Sequence, residues 1–158
     1  MAINCPQHNM ELNRRSFLLA AAAVPLYAGP PVTFGNEDIK LLDAICNQII
    51  PADDTPGASA AGVVYYIDKQ LAGPLKRFRP TYDKGLAEFR AKGYLAMSFE
   101  QQTTFLKSIE KGELAGFFST VVEHTMQGFY GSPEHGGNLD EASWKMLGIT
   151  GVMGGHKH

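Results

Sequence analysis

Between Leu114 and Tyr130 the chain carries apolar side chains at Leu114, Phe117, Phe118, Val121, Val122, Met126 and Phe129, with Thr125 among them. Three- and four-residue spacing puts these positions on one wide face of a helix, whereas a strand would need strict alternation. A face this broad must be covered, either by the chain's own core or by another chain. The other segments therefore have to supply matching faces, and they carry the same period.

Asn36 is placed to cap a first helix, with Glu37 and Asp38 in the first turn, where the helix dipole favours acids. Ile39, Leu42, Ile45, Cys46 and Ile49 then share a face until Pro51 removes a donor and stops the helix. Ser59 is a candidate cap for a second helix, with Ala60, Val63, Val64, Ile67 and Leu71 as its stripe and Gly73-Pro74 as its end. A third helix is expected from Tyr82 to Lys92, with Leu86 and Phe89 inward, Lys84, Glu88 and Lys92 outward, and Gly93 as its C-terminal cap. Ser98 and Gln101 form a capping box for a helix carrying Phe105, Leu106 and Ile109. Asp140 to Leu147 predicts two helical turns around the only tryptophan, Trp144. No long strand pattern, repeat or internal linker interrupts the series. The expectation is an all-α fold: one compact domain of about five to six helices.

Ahead of it stands a segment of different character. Arg14-Arg15 is followed by Ser16, Phe17 and Leu18, then by an Ala-rich run, and no charged residue occurs from Ser16 to Asn36. An arginine pair before a short, weakly apolar run is similar to a twin-arginine export signal. Asn13 and Leu19 depart from the strict pattern, but the pair itself is intact. The expected division is residues 1–28 as signal and 29–158 as the all-α domain, with a periplasmic destination. Loss of Arg14, Arg15 and Glu11 would take the net charge from −2 to −3 and leave Cys46 as the lone cysteine, read as a small core residue. The twin-arginine route carries folded cargo, so a chain that uses it has either a cofactor of its own or a folded partner that has one.

The residues offer little chemistry of their own. Fourteen basic against sixteen acidic residues lack the cationic excess of a general nucleic-acid binder. No uncharged apolar run reaches the roughly eighteen residues of a membrane span. His124, His135, His156 and His158 lack metal-ligand spacing, and neither Cys-x-x-Cys-His nor a dinucleotide-binding glycine fingerprint occurs. Asp53-Asp54 is a candidate acid–base pair, although adjacent loop carboxylates commonly act as turn acceptors. His135, beside Gly136-Gly137, is a candidate base or simply a surface histidine. No catalytic, cofactor-binding or metal-ligating set is assigned.

Two segments carry a resemblance. One is Ile49-Ile50-Pro51-Ala52-Asp53-Asp54-Thr55-Pro56-Gly57-Ala58, followed by Val63-Val64-Tyr65-Tyr66-Ile67-Asp68. The other runs Gly128-Phe129-Tyr130-Gly131-Ser132-Pro133-Glu134-His135-Gly136-Gly137-Asn138 and closes with Trp144 to Gly151. Over about residues 36–151 the chain resembles the gluconate 2-dehydrogenase subunit 3 family, with His135 where the family often has Tyr.

The resemblance implies a non-catalytic small subunit of an exported dehydrogenase that oxidises a sugar, a glucoside or a sugar acid. Its large partner would be an FAD-dependent protein of the glucose-methanol-choline type, sometimes joined by a haem-bearing cytochrome c subunit. The small chain would escort the folded flavoprotein to the twin-arginine translocase and stabilise it. On this reading Asp53, Asp54 and Asn138 are candidate polar contacts with the partner. Phe129, Tyr130 and Trp144 are candidate apolar anchors, and Pro56, Pro133, Gly136 and Gly137 shape the loops that present them. The same residues could instead lock the domain's own helices together. Two other functions stay open on the residues alone: an independent periplasmic helical enzyme using Asp53, Asp54 or His135, and a helical scaffold without a flavoprotein partner.

Overall fold

The apolar stripes fold against one another around α1 (Asn36–Ile49). This helix buries Ile39, Leu41, Leu42, Ile45 and Cys46 and packs against α2 (Val63–Leu71), α3 (Arg79–Ala91), α4 (Phe99–Ile109) and α5 (Ala115–Tyr130). The computed structural model describes residues 30–149, and a short α6 (Ala142–Met146) completes six α-helices among them, with no strand. The fold class is all-α, as expected. Four 3-10 turns lie between the helices, at Lys76–Phe78, Tyr94–Ala96, Pro133–His135 and Leu139–Glu141. Arg14, Arg15, Phe17 and Leu18, expected to belong to an export signal, and the tail histidines His156 and His158 lie outside the described residues.

At the centre is an aromatic cluster. Phe89 meets Phe105 and Phe117 edge-on, with ring centroids 5.0 and 5.3 Å apart, and Tyr82 meets Phe117 the same way at 5.7 Å. Rings prefer this arrangement because a positive edge faces a negative face, and each such pair adds about 1 kcal/mol beyond area burial. Gly85 of α3 is required there: a Cβ on it would stand 2.2 Å from the Phe117 ring.

Helix ends follow local chemistry, with several departures from expectation. Gly35, not Asn36, is the N-cap of α1, and its extended backbone makes no side-chain capping bond. The Ser98–Gln101 capping box forms with both reciprocal bonds, and Gly93 takes the left-handed conformation after α3 (φ 66°). α3 starts at Arg79 rather than Tyr82, since Pro80 fits a first turn whose N–H groups have no helical acceptor. α2 starts at Val63 rather than after Ser59, because Gly62 turns left-handed (φ 67°) just before it. The Ser59 hydroxyl donates instead to Asp43 at 2.9 Å, and Ala60 faces solvent while Ala61 is buried. The expected helix from Asp140 is broken at its start by positive φ at Asp140 (54°) and Glu141 (56°), which confines α6 to five residues.

One buried carboxylate organises the approach to α1. Asp68, 2 % exposed, accepts the backbone N–H groups of Val32, Thr33 and Phe34 at 2.6, 2.9 and 2.9 Å. Thr33 in turn donates its hydroxyl to the Asp68 carbonyl at 2.7 Å. Charge-assisted bonds of this kind offset the desolvation of the carboxylate. They strap residues 32–34 across α2, so that Phe34 is buried near the Tyr82 ring.

Candidate functional site

The loop after α1 is held by its own atoms. The Asp53 carboxylate accepts from both the amide and the hydroxyl of Thr55 at 2.8 Å, and the Asp53 N–H returns a bond to the Thr55 carbonyl. The backbone and hydroxyl bonds from Thr55 hold the Asp53 carboxyl below the usual carboxylate range. Asp53, Asp54 and Pro56 all face solvent. The loop closes where Ala58 N–H donates to the Ile50 carbonyl, and Gly57 permits the close approach: a Cβ there would lie 2.5 Å from Ala52 N.

The loop after α5 is held by the rest of the molecule. Asn138 is wholly buried, with φ 47°. Its amide donates to the Gly131 carbonyl at 3.0 Å, and its Oδ1 accepts from the Ser143 N–H and hydroxyl, both at 2.9 Å. Those bonds tie the loop to Gly131 at the end of α5 and to Ser143 in α6, so the Asn138 side chain is engaged within the fold as a loop lock. Phe129 is 1 % exposed, and its ring belongs to the core. Gly137 lies directly on α5, where a Cβ would stand 2.2 Å from the Gly128 carbonyl oxygen, while Gly136 supplies the positive φ of the turn (101°). Pro133 is half-buried. Leu139 N–H donates to the Ala61 carbonyl at 3.0 Å, and its side chain fills the space over Gly62. The second loop is thus tied to the turn before α2, and among the described residues no hydrogen bond or ion pair joins it to Asp53 or Asp54.

Tyr130 and Trp144 do reach the surface. The half-buried indole donates Nε1–H to the Tyr130 carbonyl at 3.0 Å, satisfying one of the carbonyls left open at the end of α5. Around them Met126, Met146, Leu147 and Ile149 are exposed. Met126 is thus a part of the wide stripe that the chain's own core does not cover, and His124 is buried on the inner face.

His124 is 1 % exposed, stacked at 3° on the Tyr82 ring, with Phe78 edge-on. The Tyr82 hydroxyl meets its Nδ1 at 3.0 Å. Burial lowers the His124 pKa and raises that of Tyr82, which keeps both neutral and bonded. The pattern carried this signal: His124 follows Phe117 and Val121 at helical spacing, as Asp68 follows Val64. Cys46 is fully buried as expected, with burial pushing its thiol up to about 12 and the Thr125 hydroxyl donating to its Sγ. A thiol so far from ionisation is inert as a nucleophile.

The acid–base candidates do not converge. The His135 side chain lies 3.6 Å from Glu134, at the edge of a groove of about 360 Å³ that Tyr66, Lys69, Gln70 and Pro74 also line. Among the described residues no group of three or more His, Cys, Asp or Glu is arranged to hold a metal ion, and no helix is long and apolar enough to cross a membrane.

A family model described as gluconate 2-dehydrogenase subunit 3 matches residues 36–151. That span takes in all six helices and both loops. No curated protein and no solved structure is significantly similar to the chain.

Proposed function

The chain belongs to the gluconate 2-dehydrogenase subunit 3 family, and from that premise we propose that it is the non-catalytic small subunit of an exported FAD-dependent dehydrogenase. The flavin belongs to the large partner, of the glucose-methanol-choline type, whose substrate is a sugar, a glucoside or a sugar acid. A cytochrome c subunit can complete the complex and carry electrons away. The single observation that carries the reading is the family match over residues 36–151.

The Arg14-Arg15 pair supports it. A signal for folded cargo on the small chain lets the large subunit fold and load FAD in the cytoplasm before the pair reaches the twin-arginine translocase and then the periplasm. Binding only the native large subunit also stabilises it by mass action. On this reading the polar groups of the first loop have no proton-transfer role, in keeping with the Asp53 carboxylate being engaged by Thr55.

The test is export. Arg14→Lys with Arg15→Lys, in the native host, should leave dehydrogenase activity in the cytoplasm and remove it from the periplasm. Unchanged periplasmic activity would refute the escort role. Turnover by the isolated chain, lost in Asp54→Asn or His135→Ala, would favour an independent enzyme instead.

A further inference from the structure

We propose that residues 32–34 are a fold-dependent latch: they close on the packed α2–α3 pair, fix where the N-terminal segment leaves the domain, and set the limit to which a protease can trim that segment. The proposal rests on contacts within this chain and holds for any partner. Asp68 is its centre. The sequence places this acid four residues after Val64 in the buried stripe of α2, where a lone carboxylate would be costly. Three successive backbone N–H groups converge on it, from Val32, Thr33 and Phe34, at 2.6, 2.9 and 2.9 Å. The Thr33 hydroxyl donates to the Asp68 carbonyl at 2.7 Å, and so satisfies a carbonyl in the last turn of α2. The other half of the latch comes from α3. The Arg79 guanidinium stands 4.7 Å from the centre of the Phe34 ring, and the Tyr82 ring 6.0 Å from it. Asp83 accepts from Arg79 Nε at 2.7 Å and holds the guanidinium in place.

Every group that holds the latch is distant in sequence. Asp68 is 34–36 residues from the amides whose bonds it accepts, and Arg79 and Tyr82 are farther still. Local structure contributes nothing: α1 begins only at Asn36, and its N-cap, Gly35, makes no side-chain capping bond. Residues 32–34 therefore cannot close until α2 and α3 have packed. Opening them again leaves the contacts among the helices in place, which puts the latch at the low-stability end of the fold. The chain passes from solvent to core within these residues: Val32 is 69 % exposed, Thr33 half-buried and Phe34 6 % exposed. A protease needs several residues of extended, detached backbone, and three latched amides deny it that. Loss of residues 1–28, expected from the sequence, would leave residues 29–31 ahead of the first latched amide, so that processing breaks no bond of the latch.

Hydrogen exchange and chymotrypsin digestion of the purified full chain test the latch together. In the wild type the amides of Val32, Thr33 and Phe34 should exchange on the order of 100-fold slower than in an unstructured chain, and the bond after Phe34 should stay uncut. Asp68→Asn offers one acceptor oxygen where the carboxylate offers two. These amides should then exchange about tenfold faster or more, and chymotrypsin should cut after Phe34, while α1 and α5 keep their protection. If Asp68→Asn lowers protection throughout the domain, Thr33→Val with Arg79→Ala, at two half-buried positions, is read in the same way. Wild-type amides that exchange as in an unstructured chain, or a wild-type chain cut after Phe34 as fast as the variant, would overturn the latch. So would protection of residues 32–34 that survives in both variants, or that outlasts the unfolding of α2 and α3 in urea. Loss of protection in every helix of both variants would make these residues part of the core's cooperative unit and overturn the latch as well.

Discussion

Residues 51–58 close on themselves: Asp53 on Thr55, Ala58 on Ile50, with Gly57 allowing the backbone to pass. Residues 131–139 close on everything else, through Asn138 to Gly131 and Ser143, Gly137 to α5, and Leu139 to the turn before α2. From Pro51 to Pro56 the first loop is a solvated turn whose side chains can change with little consequence for the core. The second is an extension of the core. Beside it Tyr130, Met126 and Met146 are exposed, together with the charged side chains of Glu134, Asp140 and Lys145. Both loops are held in place, the first by bonds within itself and the second by bonds to α5, α6 and the turn before α2, so a change in the second reaches further into the fold.

The steepest test of this contrast is Gly137→Val. Its side chain must displace the Gly128 backbone, so the second loop should lift from α5 at a cost of about 3 kcal/mol or more, read as a Tm lowered by ~10 °C. Wild-type melting would mean that the loop is not anchored. Asn138→Ala follows at about 2–3 kcal/mol, because it leaves buried groups of Gly131 and Ser143 without their partner.

The contrast extends to pH. His124 has a lowered pKa in the fold, so its contribution is complete above about 6.5 and is lost as pH falls from there toward the folded value. The Asp53 carboxyl is also held low, but its contribution disappears only below about 3.9. Melting followed between pH 7 and 5 should therefore fall in the wild type and flatten in His124→Gln, with Asp53→Ala tracking the wild type. The smallest effect belongs to the first loop: Asp53→Ala and Asp54→Asn should melt near the wild-type temperature and retain the flavoprotein. Loss of capture there would place the first loop at the partner interface.

The helices were legible because burial imposes the 3.6-residue period on any sequence that packs this way. The stripes of α1, α3 and α4 and the box at Ser98 are as the residues indicate. Starts were less legible where a tertiary contact competes with a cap. Ser59 is a sound N-cap in isolation, yet its hydroxyl is taken by Asp43 across the α1–α2 corner. Left-handed Asp140 and Glu141 gave no glycine signal by which to anticipate the break before α6. At the candidate site, the sequence shows which residues are present but not the direction each side chain points. An asparagine that locks a loop and one that meets a partner are chemically the same residue, and only the positions of Gly131 and Ser143 distinguish them. Met126 shows the converse, an apolar residue at stripe spacing that faces outward.

The central claim is that this chain works as the small partner of a flavoprotein. It is tested most directly by the absorbance spectrum of the C-terminally tagged full chain purified from its native host. A yellow preparation is predicted, with a flavin band and a large polypeptide in fixed ratio to the tagged chain. A colourless chain, purified alone from cells with full dehydrogenase activity, would contradict it.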